Sequence, residues 1–93
     1  KLMSWSDTPY RLSYYRDHDQ YEVDFVIENT AGQLIAIEVK AGATVRDGDL
    51  RGLRKLAGLA GSRFVAGIVL YNGLQTVPMG EKLSLVPLSA LWN

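Results

Sequence analysis

The chain has 93 residues, 47% apolar and 22% charged, values ordinary for one small globular domain and contrary to disorder. Ten basic and ten acidic side chains cancel to a net charge of zero, so no global field marks a nucleic-acid or membrane partner. The absence of cysteine excludes a disulfide framework and thiolate metal sites. No apolar run approaches the roughly 18 residues that span a bilayer, and no signal-peptide pattern opens the chain, so the expectation is a cytoplasmic protein without membrane partners. The chain begins at Lys1, which reads as a fragment of something longer.

Lys1 to Pro9, with Trp5 and the turn-like Ser6-Asp7-Thr8-Pro9, reads as the tail of an upstream element. Tyr10 to Arg16 is rich in strand formers, with Tyr10, Leu12 and Tyr14 on one face. Asp17-His18-Asp19-Gln20 is a polar turn, and His18, the sole histidine, reads as a solvated turn residue.

The next stretch organises the rest. Tyr21 to Glu28 and Leu34 to Lys40 each alternate apolar and polar residues with a period of two, joined by Asn29-Thr30-Ala31-Gly32-Gln33. That is the pattern of a β-hairpin. Val23, Phe25 and Ile27 form one apolar row and Ile35, Ile37 and Val39 another, and a one-residue slip would put the rows on opposite faces. The expected register sets Val23 opposite Val39, Phe25 opposite Ile37 and Ile27 opposite Ile35, with these rows on the core. Asp24 then faces Glu38, and Glu22 faces Lys40. The second face also carries Val26, Leu34 and Ala36, so it too should be covered in part. Opposed carboxylates destabilise a sheet by a few tenths of a kcal/mol or more, and a divalent cation would offset that repulsion.

After Lys40, Thr44 and Asp47 have capping-box spacing, with Asp47 itself a second candidate for the cap. Leu50, Leu53, Leu56, Ala57 and Ala60 recur at helical spacing. A helix is expected from about residue 47 to 60, ending at Gly61. Arg51, Arg54 and Lys55 share a neighbouring face, either as a solvated surface or as phosphate contacts. Phe64 to Leu70 is a short continuous apolar run, the pattern of a strand buried on both faces. A right-handed crossover would place it parallel to the strand ending at Lys40. An edge strand over 74–79, a last strand over 83–86 and a terminal turn over 90–92 that packs Trp92 on the core complete the chain.

Hard cations such as magnesium take oxygen ligands, and one or two carboxylates suffice when water and phosphate fill the other positions. Asp24 and Glu38 suit that role, with Lys40 on the same face to orient a water or stabilise a transferring phosphate. The competing structural reading is a cross-strand ion-pair cluster in which Glu22 pairs with Lys40.

Glu22-Val-Asp24-Phe followed by Ile37-Glu38-Val-Lys40-Ala resembles the core motif of the PD-(D/E)XK nuclease superfamily. More narrowly, the chain resembles a C-terminal domain of unknown function attached to many prokaryotic AAA-type ATPases. Tyr14-Tyr-Arg-Asp17, Gly52-Leu53, Gly67-Ile-Val-Leu-Tyr71 and Pro87-Leu-Ser-Ala-Leu-Trp92 agree with it as well. The resemblance implies a restriction-endonuclease-like α/β fold, a mixed sheet of β-hairpin, crossover helix, parallel strand and C-terminal strands, with the first core helix missing. It implies Asp24, Glu38 and the Val39 carbonyl as ligands of Mg2+ (Mn2+ as substitute), and Lys40 as the catalytic lysine of a DNA endonuclease. In two places the chain departs from the family. Its first helix, which often carries another acidic residue, would lie before Lys1, and the helix after Lys40 lacks the glutamine of some active members. No phosphate-binding loop occurs, so an ATPase domain would lie elsewhere in a longer chain. The readings that follow are a metal-dependent nuclease module and a non-catalytic accessory domain that binds DNA or protein. A sheet without its covering helix should also self-associate into a homo-oligomer.

Overall fold

Three strand-forming runs separated by tight polar turns fold into a meander. In this computed structural model, which describes residues 9–92, β1 (Tyr10–Arg16), β2 (Glu22–Asn29) and β3 (Leu34–Val39) pair antiparallel in chain order. The tail with Trp5 and Ser6 to Thr8 lies outside the described residues, as does the packing expected of the Trp92 side chain. Asn29 closes the β2–β3 turn, its Oδ1 accepting from the N–H groups of Ala31 and Gln33, each at 3.0 Å. Asn favours such positions because its short side chain can substitute for a backbone acceptor.

Asp47–Leu50 is a 3₁₀ turn that runs directly into α1 (Arg51–Ala60), and together they fill the expected helix. Gly61, at φ 60°, ends it, a conformation that glycine adopts without a side-chain penalty. The cap differs from expectation. Asp49, rather than Thr44 or Asp47, accepts the Arg46 N–H at 2.8 Å.

β4 (Phe64–Tyr71) returns parallel to β3, as the crossover predicts. β6 (Leu83–Pro87) adds parallel to β4, and β5 (Val77–Pro78) closes the far edge antiparallel to β6. The mixed sheet therefore has the order β1-β2-β3-β4-β6-β5. The edge strand expected over 74–79 shrinks to two residues, because the preceding segment turns back and Tyr71 Oη donates to the Gln75 carbonyl at 2.6 Å. A 3₁₀ turn over Leu88–Trp92 ends the described chain.

Phe25 does face Ile37, and Ile27 does face Ile35. The main core cluster lies on the other face, however. Leu50, Leu53 and Leu56 of the helical segment are buried against Val23, Val26, Leu34, Ala36, Phe64 and Val69. Fully burying each leucine contributes about 1.5–3 kcal/mol. Of the two rows expected in the core, Val23 and Ile37 are buried, but Phe25 and Val39 are 43% and 44% exposed. β4 is likewise buried mainly on one face: Phe64, Gly67, Val69 and Tyr71 are covered, while Ala66, Ile68 and Leu70 are half-buried. Among the described residues no α-helix lies over that second face.

Gly52 sets how closely α1 approaches the sheet. A Cβ there would overlap the backbone carbonyl oxygen of Glu22. The helix thus rests against the start of β2 at a distance no other residue allows, since overpacking of this kind costs about 1–3 kcal/mol.

Candidate active site

The period of two breaks inside β2. Val23 and Val26 both belong to the core, and the exposed pair Asp24 and Phe25 separates them. Strict alternation would put residues three apart on opposite faces. The β2–β3 ladder accordingly starts at Phe25 and Ile37, and beyond it side chains replace the backbone bonds. The Asp24 N–H donates to Glu38 Oε1 at 3.1 Å, and the Val39 N–H donates to Asp24 Oδ2 at 2.9 Å. Each carboxylate thus bonds the partner strand's backbone, and the strand ends are held by two acids.

The acids also meet each other. The Glu38 carboxyl stands at about 7 in all, up from its ordinary 4.5, and burial is the largest cause. Its contact with the Asp24 carboxyl and the Asp24 charge contribute to that rise, the Asp24 N–H opposes them, and the Glu22 charge adds a smaller push. The cause is positional: Glu38 follows Leu34 and Ala36 on the face that α1 covers, so it gives up water that an edge carboxylate would keep.

Glu38, Val39 and Lys40 line a cleft of about 310 Å3, bounded across from them by Tyr21, Glu22, Asp49, Arg51 and Gly52. Asp24 is not in its wall and reaches it through Glu38. Lys40 Nζ lies 3.3 Å from Asp49 Oδ1, both side chains partly solvated. Asp49 is held in turn by the Arg46 N–H, which more than any other contact lowers its carboxyl below the usual range; burial opposes the shift and Lys40 adds to it. Asp49 therefore works on two sides, capping the helical segment and holding the lysine.

The expected Glu22–Lys40 pair does not form. Glu22 Oε1 pairs at 3.3 Å with Arg16 Nη2, its direct neighbour on β1. Among the described residues no group of three or more acidic, histidine or cysteine side chains is placed to hold a metal ion. The oxygen donors the site does offer are the Asp24 and Glu38 carboxylates together with backbone carbonyls, a hard donor set that matches magnesium or manganese in kind.

The three basic residues of the helix part company. Arg54 Nη1 lies 2.6 Å from Asp47 Oδ1 and takes no part in the cleft. Arg51 and Lys55 lie over the ring of Tyr21, at 4.8 Å and 5.0 Å from its centroid. Contacts of this kind are worth about 0.5–1 kcal/mol at exposed sites.

Three residues that position the site carried little signal in the sequence. Asp49 was hidden because its cap partner is Arg46 rather than a Ser or Thr, although the three-residue spacing was there to see. Tyr21 reads as an ordinary strand aromatic. Asp17 gathers the β1–β2 turn: its Oδ1 accepts from the Asp19 and Tyr21 N–H groups and its Oδ2 from Tyr15 Oη. Burial pushes this carboxyl up, but these hydrogen bonds and the Lys55 charge outweigh it, so the net shift is downward. The tendency of Asp to bond backbone two residues on was the available clue. His18 sits exposed in the same turn, as expected.

Among the described residues no helix is long and apolar enough to cross a membrane. No curated protein and no solved structure matches the chain. One family does match, over residues 1–91. The chain belongs to the family described as Domain of unknown function (DUF4143).

Proposed function

We propose that the chain is a restriction-endonuclease-like, metal-dependent nuclease module, one that hydrolyses phosphodiester bonds of DNA and is carried on a longer cytoplasmic chain with an AAA-type ATPase domain. One observation carries this reading: two adjoining carboxyls, Asp24 and Glu38, each bonded to the opposite strand's backbone where the ladder breaks, with Lys40 on the cleft that Glu38 lines. Asp24, Glu38 and the Val39 carbonyl are the groups that would hold Mg2+ or Mn2+. Such an ion supplies Lewis-acid polarisation of a phosphoryl oxygen and a lowered pKa for an attacking water.

The chain's own residues do the rest. Glu38 and Asp24 repel when both are charged, so the pair favours a divalent neighbour over solvent. Lys40, tethered through Asp49, presents an ammonium to the cleft, where it stabilises negative charge growing on a phosphate. Asp49 fixes the lysine's reach and leaves it free to move, since a partly solvated ion pair is worth only about 0–1 kcal/mol.

Two observations favour a second reading, a non-catalytic accessory domain that binds DNA or protein. Asp24 Oδ2 is committed to the Val39 N–H, and no three-ligand cluster exists among the described residues. Titration with magnesium, and with manganese for paramagnetic broadening, separates the two by NMR. The nuclease reading expects saturable changes at Asp24, Glu38 and Val39. No saturable response, in this chain and in a longer one that includes its upstream residues, removes it and leaves the accessory role.

The second sheet face bears on partners. Tyr10, Leu12, Phe25 and Val39 are exposed there, beside the half-buried Ile27, Ile35 and Ile68. Apolar patches this continuous mark interaction surfaces, and a second copy of the chain is the partner proposed for it. Light scattering should show a mass above that of one chain, rising with concentration; a clean monomer at high concentration sinks the idea.

A further inference from the structure

The basic side chains of α1 fall into two groups. Arg54 has its charge answered by Asp47. Arg51 and Lys55, four residues apart and so neighbours on the helix, both lie over Tyr21. Among the described residues, neither has a carboxylate oxygen within 4.0 Å, and neither donates a hydrogen bond. The Lys55 charge reaches Asp17 only through space. Two like charges are thus stacked on one ring with all their donors uncommitted.

Their place is held from both sides. The Tyr21 N–H bonds Asp17 Oδ1 at 3.1 Å, just after Gln20 turns the chain at φ 66°. Gly52, lacking a Cβ, lets the helix press against Glu22, next to Tyr21. Tyr21 and Arg51 belong to the wall of the cleft that holds Glu38 and Lys40. An arginine fork and a lysine point charge, pre-placed on an aromatic face, suit phosphate oxygens.

We propose that Arg51 and Lys55, braced on Tyr21, form a clamp for the phosphate backbone of a nucleic-acid strand that runs into the cleft. The clamp deepens the nuclease reading and, for its place beside the reacting phosphate, rests on it. Backbone binding itself needs no metal, so the two can fail separately.

The test is fluorescence anisotropy of labelled single- and double-stranded oligonucleotides with the chain in EDTA, at several salt concentrations. Arg51→Ala and Lys55→Ala should each weaken binding about tenfold and each lower the salt slope by about one. Tyr21→Ala should weaken it as well, while Tyr21→Phe keeps it. Arg54→Ala, from the same helix, should leave affinity within about twofold of the parent, because its charge is already spent on Asp47. The clamp is overturned if Arg54→Ala costs as much as Arg51→Ala, or if none of the basic variants alters binding. It is overturned too if inorganic phosphate shows the variant pattern and oligonucleotides do not bind. If the pattern holds while magnesium leaves Asp24 and Glu38 untouched, the clamp stands and the hydrolytic reading falls.

Discussion

Lys40→Ala is expected to lower magnesium-dependent cleavage of plasmid DNA by about 10²–10³-fold, the usual loss when one preorganised charge at a reacting centre is removed. Stability should hardly move. The ion pair with Asp49 is 3.3 Å long between side chains 39% and 28% exposed, and such pairs contribute about 0–1 kcal/mol. Loss of activity without loss of fold separates this lysine from a structural one. Lys40→Arg should recover little, because a planar fork cannot place charge where a compact ammonium did. Asp49→Asn should cost less than Lys40→Ala, since the amide keeps the lysine's neighbourhood and loses only the charge that restrains it. Melting curves and cleavage rates on the same samples check all three. Unchanged cleavage by Lys40→Ala would exclude the lysine from the chemistry.

The sequence allowed the register but not the face. Either apolar set, Phe25 with Ile27, Ile35 and Ile37, or Val26 with Leu34 and Ala36, satisfies the period-two pattern. What decides between them is where Leu50, Leu53 and Leu56 land, and that depends on the path of residues 40–50 rather than on alternation. The charges went astray for a related reason. A straight ladder would have carried Glu22 to Lys40, yet β1 brings Arg16 directly beside Glu22, and a cross-strand neighbour one residue away wins over one at a frayed end. Lys40 was then left to Asp49, nine residues on and at the far side of a loop.

The strand ends show why Asp24 and Glu38 still lie together, as the register predicts. Their placement follows from the hairpin register alone, and that register survives up to Phe25 and Ile37. One more regular pair would have put Asp24 and Glu38 across a ladder as mere neighbours. The break instead frees the Asp24 and Val39 N–H groups to bond carboxylates. Neither break nor bonds can be read from a pattern of apolar and polar residues. The same holds for Arg54, whose partner Asp47 lies seven residues back, and for Tyr21, whose role depends on how near Gly52 lets α1 come.

Glu38→Gln is expected to stabilise the fold above neutral pH while abolishing any metal response. The Glu38 carboxyl titrates near 4.5 in an unfolded chain and about 7 in the folded one. Between those values the native state holds a proton that the unfolded state has lost, so stability falls as pH rises from 4.5 to 7, and the cost is complete above 7. Asp17 and Asp49, shifted downward, stay charged through that window and add no slope to it. Because Glu38 is partly solvated, the cost is on the order of 1 kcal/mol. Glutamine keeps the oxygen that accepts the Asp24 N–H and offers an N–H to the Asp24 carboxylate, so it makes the protonated acid's bonds at every pH. At pH 8 its melting temperature should exceed the parent's by about 4–8 °C, and near pH 4.5 the two should converge. Saturating magnesium should flatten the parent's pH dependence and release a proton near neutrality, with no effect on the variant. A site that costs stability until its ion arrives is what a functional carboxylate pair predicts. Equal melting temperatures at pH 8 would mean that the two carboxyls do not oppose each other, and the case for an ion between them would go with that.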